Sequence, residues 1–176
     1  MLNEHNPIAV RISKLQDKWI ESLSVNRDAR IIRWLIQSND LPLVNAFYRL
    51  ESSPYGKIDE VPIVMLTDFE SSETFAYKLS QDWVNEYEKG LKQYPNLPWK
   101  EFSLFKERLS NMSDPNYQED FLADLLISYQ KFIPDPVRQK LLLGIVPRNI
   151  STYGELNKWL DLFLDKLSPD MGITLI

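Results

Sequence analysis

The chain has 176 residues, of which 44% are hydrophobic and 12% aromatic, and it carries a formal net charge of -5. The hydrophobic content excludes a disordered chain. The acidic balance, spread without blocks, makes nucleic acid or an anionic membrane surface an unfavourable main partner. The absence of cysteine removes disulfides and thiolate chemistry.

The first residues, Met1 to Pro7, lack the basic region and apolar core of a signal peptide. No apolar run in the sequence approaches the ~20 residues that a membrane span requires. Because the missing cysteines also fit a reducing compartment, we expect a soluble cytoplasmic protein without a membrane partner.

An amphipathic helix is predicted to begin at Asn6-Pro7, where an asparagine cap precedes a proline at the first helical position. Its apolar stripe consists of Ile8, Ile12, Leu15, Trp19 and Leu23. The opposite side carries Arg11, Lys14, Lys18 and Glu21. We interpret the stripe as a surface that packs on the core, and the charged side as solvated.

Two short strands are predicted next, each followed by a helix. Ala29–Ile36 is rich in β-branched and aromatic residues, although its spacing also fits a helix. Val61–Leu66 is a second apolar run, in which Pro62 is tolerable near the start or at an edge. The long helix after it has an apolar face of Phe75, Leu79, Trp83, Tyr87 and Leu91.

Three prolines flank a short helical segment between residues 94 and 115. We interpret 94–115 as an insertion packed over the domain, because segments of this kind often carry lids and partner contacts. Asp114-Pro115 then starts another helix by the same capping logic. Its buried side is predicted to hold Phe121, Leu122, Leu125, Leu126 and Tyr129.

The run Lys140–Pro147 is the most apolar stretch and predicts a strand buried on both faces. A capping box, Thr152-x-x-Glu155, opens the following helix, and Ile173–Ile176 forms a last strand. Strand, helix and strand of these lengths predict a crossover unit. A chain that ends in a strand is expected either to place that strand at a sheet edge or to be the N-terminal portion of a longer protein.

Together these elements predict a single α/β domain over residues 1–176. We expect a three-layer α/β/α arrangement with a short, mostly parallel sheet and the N-terminal amphipathic helix laid across it. The alternative is a mostly helical α+β domain, in which Ala29–Ile36 and Val61–Leu66 are helix or loop.

Sequence motifs for catalysis are missing. The five glycines at 56, 90, 144, 154 and 172 form no Walker A or dinucleotide-binding loop. The single histidine, His5, would have to serve any Ser/His/Asp triad, and one histidine without cysteine leaves zinc without a ligand set. The sequence therefore favours a protein that is not an enzyme.

Carboxylates and polar side chains at the predicted strand ends are the remaining candidate binding site. They are Asp40, Asp68, Glu70, Arg148 and Asn149. In a parallel sheet ligands bind outside the carboxyl ends of the strands, so the three acids could hold Mg²⁺ with Arg148 facing a phosphate. The interpretation that we favour is that Asp40, Asp68, Ser71 and Asn149 serve as caps and turn formers at helix starts. A cofactor, Mg²⁺, is expected only under the first interpretation.

Aromatic side chains indicate a second kind of function, association with another protein or with a second copy. The candidate interface residues are Trp19, Tyr94, Trp99, Phe102 and Phe105, because aromatics are favoured at interface centres. The sequence thus predicts a non-catalytic interaction or scaffold domain. The alternative is a nucleotide- or Mg²⁺-dependent α/β domain with a phosphotransfer or regulatory role.

Overall fold

The computed structural model describes residues 7–26, 29–34, 36–53, 55–93, 99–133, 140–147, 149–169 and 171–175. These residues form a mixed α/β fold. Its elements are α1 (Pro7–Val25), β1 (Ile31–Arg33), α2 (Leu41–Glu51), β2 (Glu60–Met65), α3 (Ser72–Gln93), α4 (Phe102–Ser110), α5 (Gln118–Phe132), β3 (Lys140–Ile145), α6 (Tyr153–Leu164) and β4 (Gly172–Leu175).

The sequence located these elements well. α1 begins at the proline that the capping pattern indicated, and β1 and β2 lie in the two segments that the mostly helical alternative made helix or loop. β3 is the apolar run, and Leu141 to Val146 are all buried. Runs of this composition form strands because β-branched and large apolar side chains suit a sheet that is covered on both faces.

The chain divides into two compact units. The first comprises residues 1–64, 136–144 and 170–176, and the second comprises residues 65–135 and 145–169. Among the helices that the structure describes, none combines the length and the apolar character needed to cross a bilayer.

The first unit contains the sheet strands in the order β1-β4-β3-β2. β1 and β4 pair in parallel, with Ile31 opposite Ile173 and Arg33 opposite Leu175. β4 therefore lies between β1 and β3, so the first of the two alternatives for the last strand, a position at the sheet edge, is wrong. The short strand β1 takes the outer position instead, because it pairs along the side of β4 that faces away from β3.

The core of the first unit is an aromatic cluster under α1. Its buried residues are Trp19, Val44, Phe47, Tyr48, Ile58 and Leu142. The ring of Trp34 stacks on Trp19 at 5.9 Å and lies 5.8 Å from Phe47. The predicted stripe of α1 reaches this core from Ile12 onwards, whereas Ile8 is 58% exposed. Ile8 was wrongly assigned to the buried side because the core contacts begin one helical turn later.

A buried polar group ties this unit together. The side chain of Glu51, at the end of α2, is 0% exposed. Its Oε1 accepts a hydrogen bond from Nε2 of Gln16 in α1. Its Oε2 accepts from the backbone N–H of Lys57 at 2.7 Å and of Ile58 at 3.0 Å. One carboxyl group thus joins α1, α2 and the turn that leads into β2.

The core of the second unit consists of the predicted apolar faces of α3, α5 and α6. α3 buries Phe75, Leu79 and Trp83, and α5 buries Phe121, Leu122, Leu125 and Leu126. Trp159 of α6 meets Phe75 edge-on at 4.8 Å and stacks on Phe163 at 4.7 Å. The periodicity of four residues along α3 therefore marked a core face.

The predicted capping box of α6 is wrong. Thr152 makes no side-chain capping bond. Glu155 instead accepts from the backbone N–H and from Oγ of Ser72, both at 2.8 Å, at the first residue of α3. These two hydrogen bonds lower the pKa of Glu155. The carboxylate supports a different helix from its own, because the N-terminus of α3 leaves donors unsatisfied.

We expect Glu51→Ala to lower the free energy of unfolding by about 2–4 kcal/mol, because it leaves the buried amide of Gln16 and two backbone N–H groups without an acceptor. Urea unfolding of the purified protein measures the change. The control is Glu21→Ala, an exposed position on α1, which should change stability by less than about 0.5 kcal/mol. Equal effects of the two substitutions would contradict the role of Glu51.

Glu60, the first residue of β2, should make stability depend on pH. Burial raises the pKa of Glu60, and a backbone hydrogen bond offsets only part of this rise. A raised pKa in the folded state means that ionisation opposes folding, so stability falls as the pH rises above the ordinary value of 4.5. Glu60→Gln is expected to stabilise the protein near neutral pH, with the gain vanishing at acidic pH.

Thermal unfolding between pH 4 and pH 8 measures this dependence. Glu88→Gln is the control with the opposite sign, because Lys106 lowers the pKa of Glu88. The Glu88 substitution should therefore cost stability near neutral pH and nothing at acidic pH. A Glu60 variant that loses stability near neutral pH would refute the assignment.

Candidate functional site

The segments that follow β2 and β3 lie side by side in the second unit. Phe69 and Ile150 form a parallel bridge, with the Phe69 N–H donating to Asn149 O at 3.0 Å and the Ser151 N–H donating to Phe69 O at 2.9 Å. Asp68 accepts from the backbone N–H of Asn149 through Oδ1 and from its Nδ2 through Oδ2, both at 3.0 Å. Two of the five predicted binding residues therefore come together, and each carboxyl oxygen of Asp68 accepts a hydrogen bond.

The other predicted binding residues do not join this pair. Glu70 forms an ion pair with Lys78 at 2.7 Å, and its side chain is 71% exposed. Asp40 belongs to the first unit, where it pairs with Arg11 at 2.9 Å and makes no capping bond to α2. Arg148 lies outside the described residues. Within the ranges that the structure describes, no three His, Asp or Glu side chains gather as a metal site would require.

Four of the five predicted interface aromatics are buried inside their own units. Trp19 is 1% exposed in the first unit, and in the second unit Trp99, Phe102 and Phe105 are 4%, 8% and 4% exposed. Tyr94 lies outside the described residues. The Trp99 ring stacks on Phe105 at 5.2 Å, and its Nε1 donates to Ser128 Oγ at 3.0 Å. An interface role for these side chains stays a prediction. Because the four described side chains are buried, an interface at these positions would have to include exposed residues next to them.

A groove in the first unit was not anticipated from the sequence. It has a volume of about 570 Å³ and lies between α1, the segment after β1 and the start of α2. We call it the basic-edged groove. Its apolar lining consists of Leu15, Trp34, Ile36, Leu43 and Val44, and its charged residues are Arg11, Lys14, Lys18 and Asp40.

The cations of the basic-edged groove follow one side of α1. Arg11, Lys14 and Lys18 are spaced by three and four residues, so they occupy successive turns of the same helical face. Arg11 forms an ion pair with Asp40. In the described part of the chain, no ion pair joins Lys14 or Lys18 to another side chain. The sequence showed this row of cations, but only the fold reveals the apolar surface beside it.

Comparison of the chain with protein-family models, with curated proteins and with solved structures found no match. Any indication of function therefore comes from the geometry within each of the two units. That geometry offers an Asp68–Asn149 pair with its carboxyl oxygens engaged and a groove that combines apolar and cationic side chains.

We expect titration of the protein with Mg²⁺, alone and with nucleotide, to give no binding heat in wild type or in Asp68→Asn, because Asn149 engages both carboxyl oxygens of Asp68. The same substitution should lower the free energy of unfolding by about 1 kcal/mol through loss of a charge-assisted hydrogen bond. Calorimetry and urea unfolding measure the two effects. A heat of binding in wild type that Asp68→Asn abolishes would favour the Mg²⁺-dependent alternative.

Proposed function

We propose that this chain is a non-catalytic interaction or scaffold domain, and that its first unit binds an anionic, apolar segment of another protein through the basic-edged groove. The observation that carries the proposal is the combination of Leu15, Trp34, Ile36 and Leu43 with exposed cations on one edge. Protein interfaces combine an apolar centre with a polar rim, which is the arrangement of this groove.

The chemistry of the groove favours a protein partner over nucleic acid. Affinity for a phosphate backbone depends on many cations, on the order of six to ten in a strongly salt-dependent binder. The groove has three, one of which already pairs with Asp40. The net charge of -5 also repels a polyanion, whereas it tolerates a partner that brings a few carboxylates and several apolar side chains.

The proposal includes the finer organisation that the sequence predicts. In it, residues 1–176 form one three-layer α/β/α domain with a short, mostly parallel sheet, residues 94–115 are an insertion, and the protein works in the cytoplasm. The parallel β1–β4 pair and the helices α1 to α6 support an α/β architecture of this kind. The partner can be another protein or a second copy of this chain.

A second candidate function, a nucleotide- or Mg²⁺-dependent regulatory or phosphotransfer domain, draws support from one observation. Asp68 and Asn149 come from the segments that follow two different strands and meet in space. Ligands of α/β proteins often bind at such strand ends. The engagement of both Asp68 oxygens by Asn149 makes this the weaker of the two proposals.

Partner capture from the native lysate tests the interaction role. Leu43→Ala removes apolar surface from the groove, and we expect it to reduce the yield of captured partner at least about fivefold, since buried interface leucines contribute on the order of 1 kcal/mol or more. Leu162→Ala, at an apolar position of α6 that is 68% exposed in the second unit, should leave the yield unchanged.

Light scattering of the purified protein distinguishes the two kinds of partner. Self-association predicts a dimer in wild type that Leu43→Ala converts to monomer. A strict monomer that captures the same proteins as the Leu43→Ala variant would refute the proposed function.

A further inference from the structure

We propose that the segment bound in the basic-edged groove is an acidic amphipathic helix of the partner protein. This inference rests on the proposed function and adds the chemistry and the conformation of the partner. Three features of the groove support it: the row of cations, the position of the apolar lining beside that row, and the rigidity of the aromatic lining.

Charge is the first feature. Arg11, Lys14 and Lys18 form a local row of cations on a protein whose overall charge is acidic. Asp40 already places one carboxylate against this row, 2.9 Å from the guanidinium of Arg11. Lys14 and Lys18 are exposed and have no ion-pair partner within the described ranges, so they can accept further carboxylates from a bound segment.

The spacing of the cations is the second feature. From Arg11 to Lys18 the row rises along α1 by about 10 Å, at 1.5 Å per residue. A helix that lies along α1 presents one carboxylate per turn at the same repeat, and its apolar stripe lies next to the acidic one. An extended segment would instead point alternate side chains to opposite faces. The groove needs acidic and apolar side chains on adjacent faces, which a helix supplies.

An added strand is a poorer fit to this region. β1 is the outer strand of the sheet in the first unit, and a peptide could in principle pair along it. However, β1 has only three residues, and so short an edge offers few backbone hydrogen bonds. A partner therefore gains more stabilising contacts from the side chains of the groove than from backbone pairing with β1.

The lining of the groove is the third feature. Trp34 stacks on the buried Trp19 and contacts Phe47, so its ring is held in place before any partner binds. Leu43 and Val44 lie on α2, whose end is tied to α1 through Glu51 and Gln16. A surface that is already ordered loses little conformational entropy on binding, which favours affinity.

The test uses a synthetic peptide of about 18 residues, short enough to be only partly helical in water and long enough, as a helix, to span the row of cations. Leucines form its apolar stripe, and glutamates flank that stripe on both sides. We expect it to bind the full chain and to gain helicity on binding, measured by fluorescence anisotropy and by circular dichroism. A peptide of the same composition with the stripe scrambled should bind at least about tenfold more weakly, because the apolar face is lost.

Charge reversal supplies the matched variants. Lys14→Glu combined with Lys18→Glu should weaken peptide binding about tenfold or more at low salt, with a smaller effect at high salt, because exposed charges are screened. The control is Lys89→Glu combined with Lys92→Glu, which changes the net charge equally on exposed positions of α3 in the second unit. The control should bind as wild type does.

Three results would overturn the inference. The first is equal weakening by both charge reversals, and the second is tight binding without a gain in helicity. The third is failure of the peptide to bind wild type. If Leu43→Ala still reduces partner capture in that case, the proposed function stands and the partner has a different chemistry. If capture is also insensitive to Leu43→Ala, both proposals fail.

Discussion

The carboxyl group of Glu51 is the constraint on which the first unit depends. A fully buried polar group is costly unless its hydrogen bonds are made, and here the donors come from α1 and from the turn before β2. The position of α1 against α2 is therefore specified by a polar contact as well as by the packing of Trp19 on Phe47. Apolar contacts alone tolerate sliding, whereas a buried carboxyl with three donors allows one register.

The basic-edged groove follows from that register. Its lining residues belong to α1, to the segment after β1 and to α2, and these are the elements that Glu51 and the aromatic cluster hold together. Trp34 belongs to both the aromatic cluster and the groove, since it packs on Trp19 and lines the groove. The same contacts that stabilise the core therefore also order the surface beside it.

Two carboxylates of the second unit, one of them a candidate ligand from the sequence, make structural hydrogen bonds. Asp68 joins the two segments after β2 and β3, and Glu155 caps α3 from α6. Both carboxylates satisfy donors at points where the backbone leaves a strand or enters a helix. The buried Trp99 and Phe105 likewise complete a core. Surface chemistry of the first unit is therefore the stronger basis for a function.

The sequence by itself determined the kind and position of most elements, because hydrophobic periodicity and proline caps are local signals: α1 starts at Pro7, and the apolar run at Lys140 is β3. It also determined which helix faces are buried, as the stripe of α3 illustrates. Tertiary structure alone decided the partners of the polar side chains. Glu51 meets Gln16 across 35 positions and Glu155 meets Ser72 across 83, distances at which local pattern carries no information. The interior position of β4 and the apolar surface beside Lys14 and Lys18 depend on the same long-range packing.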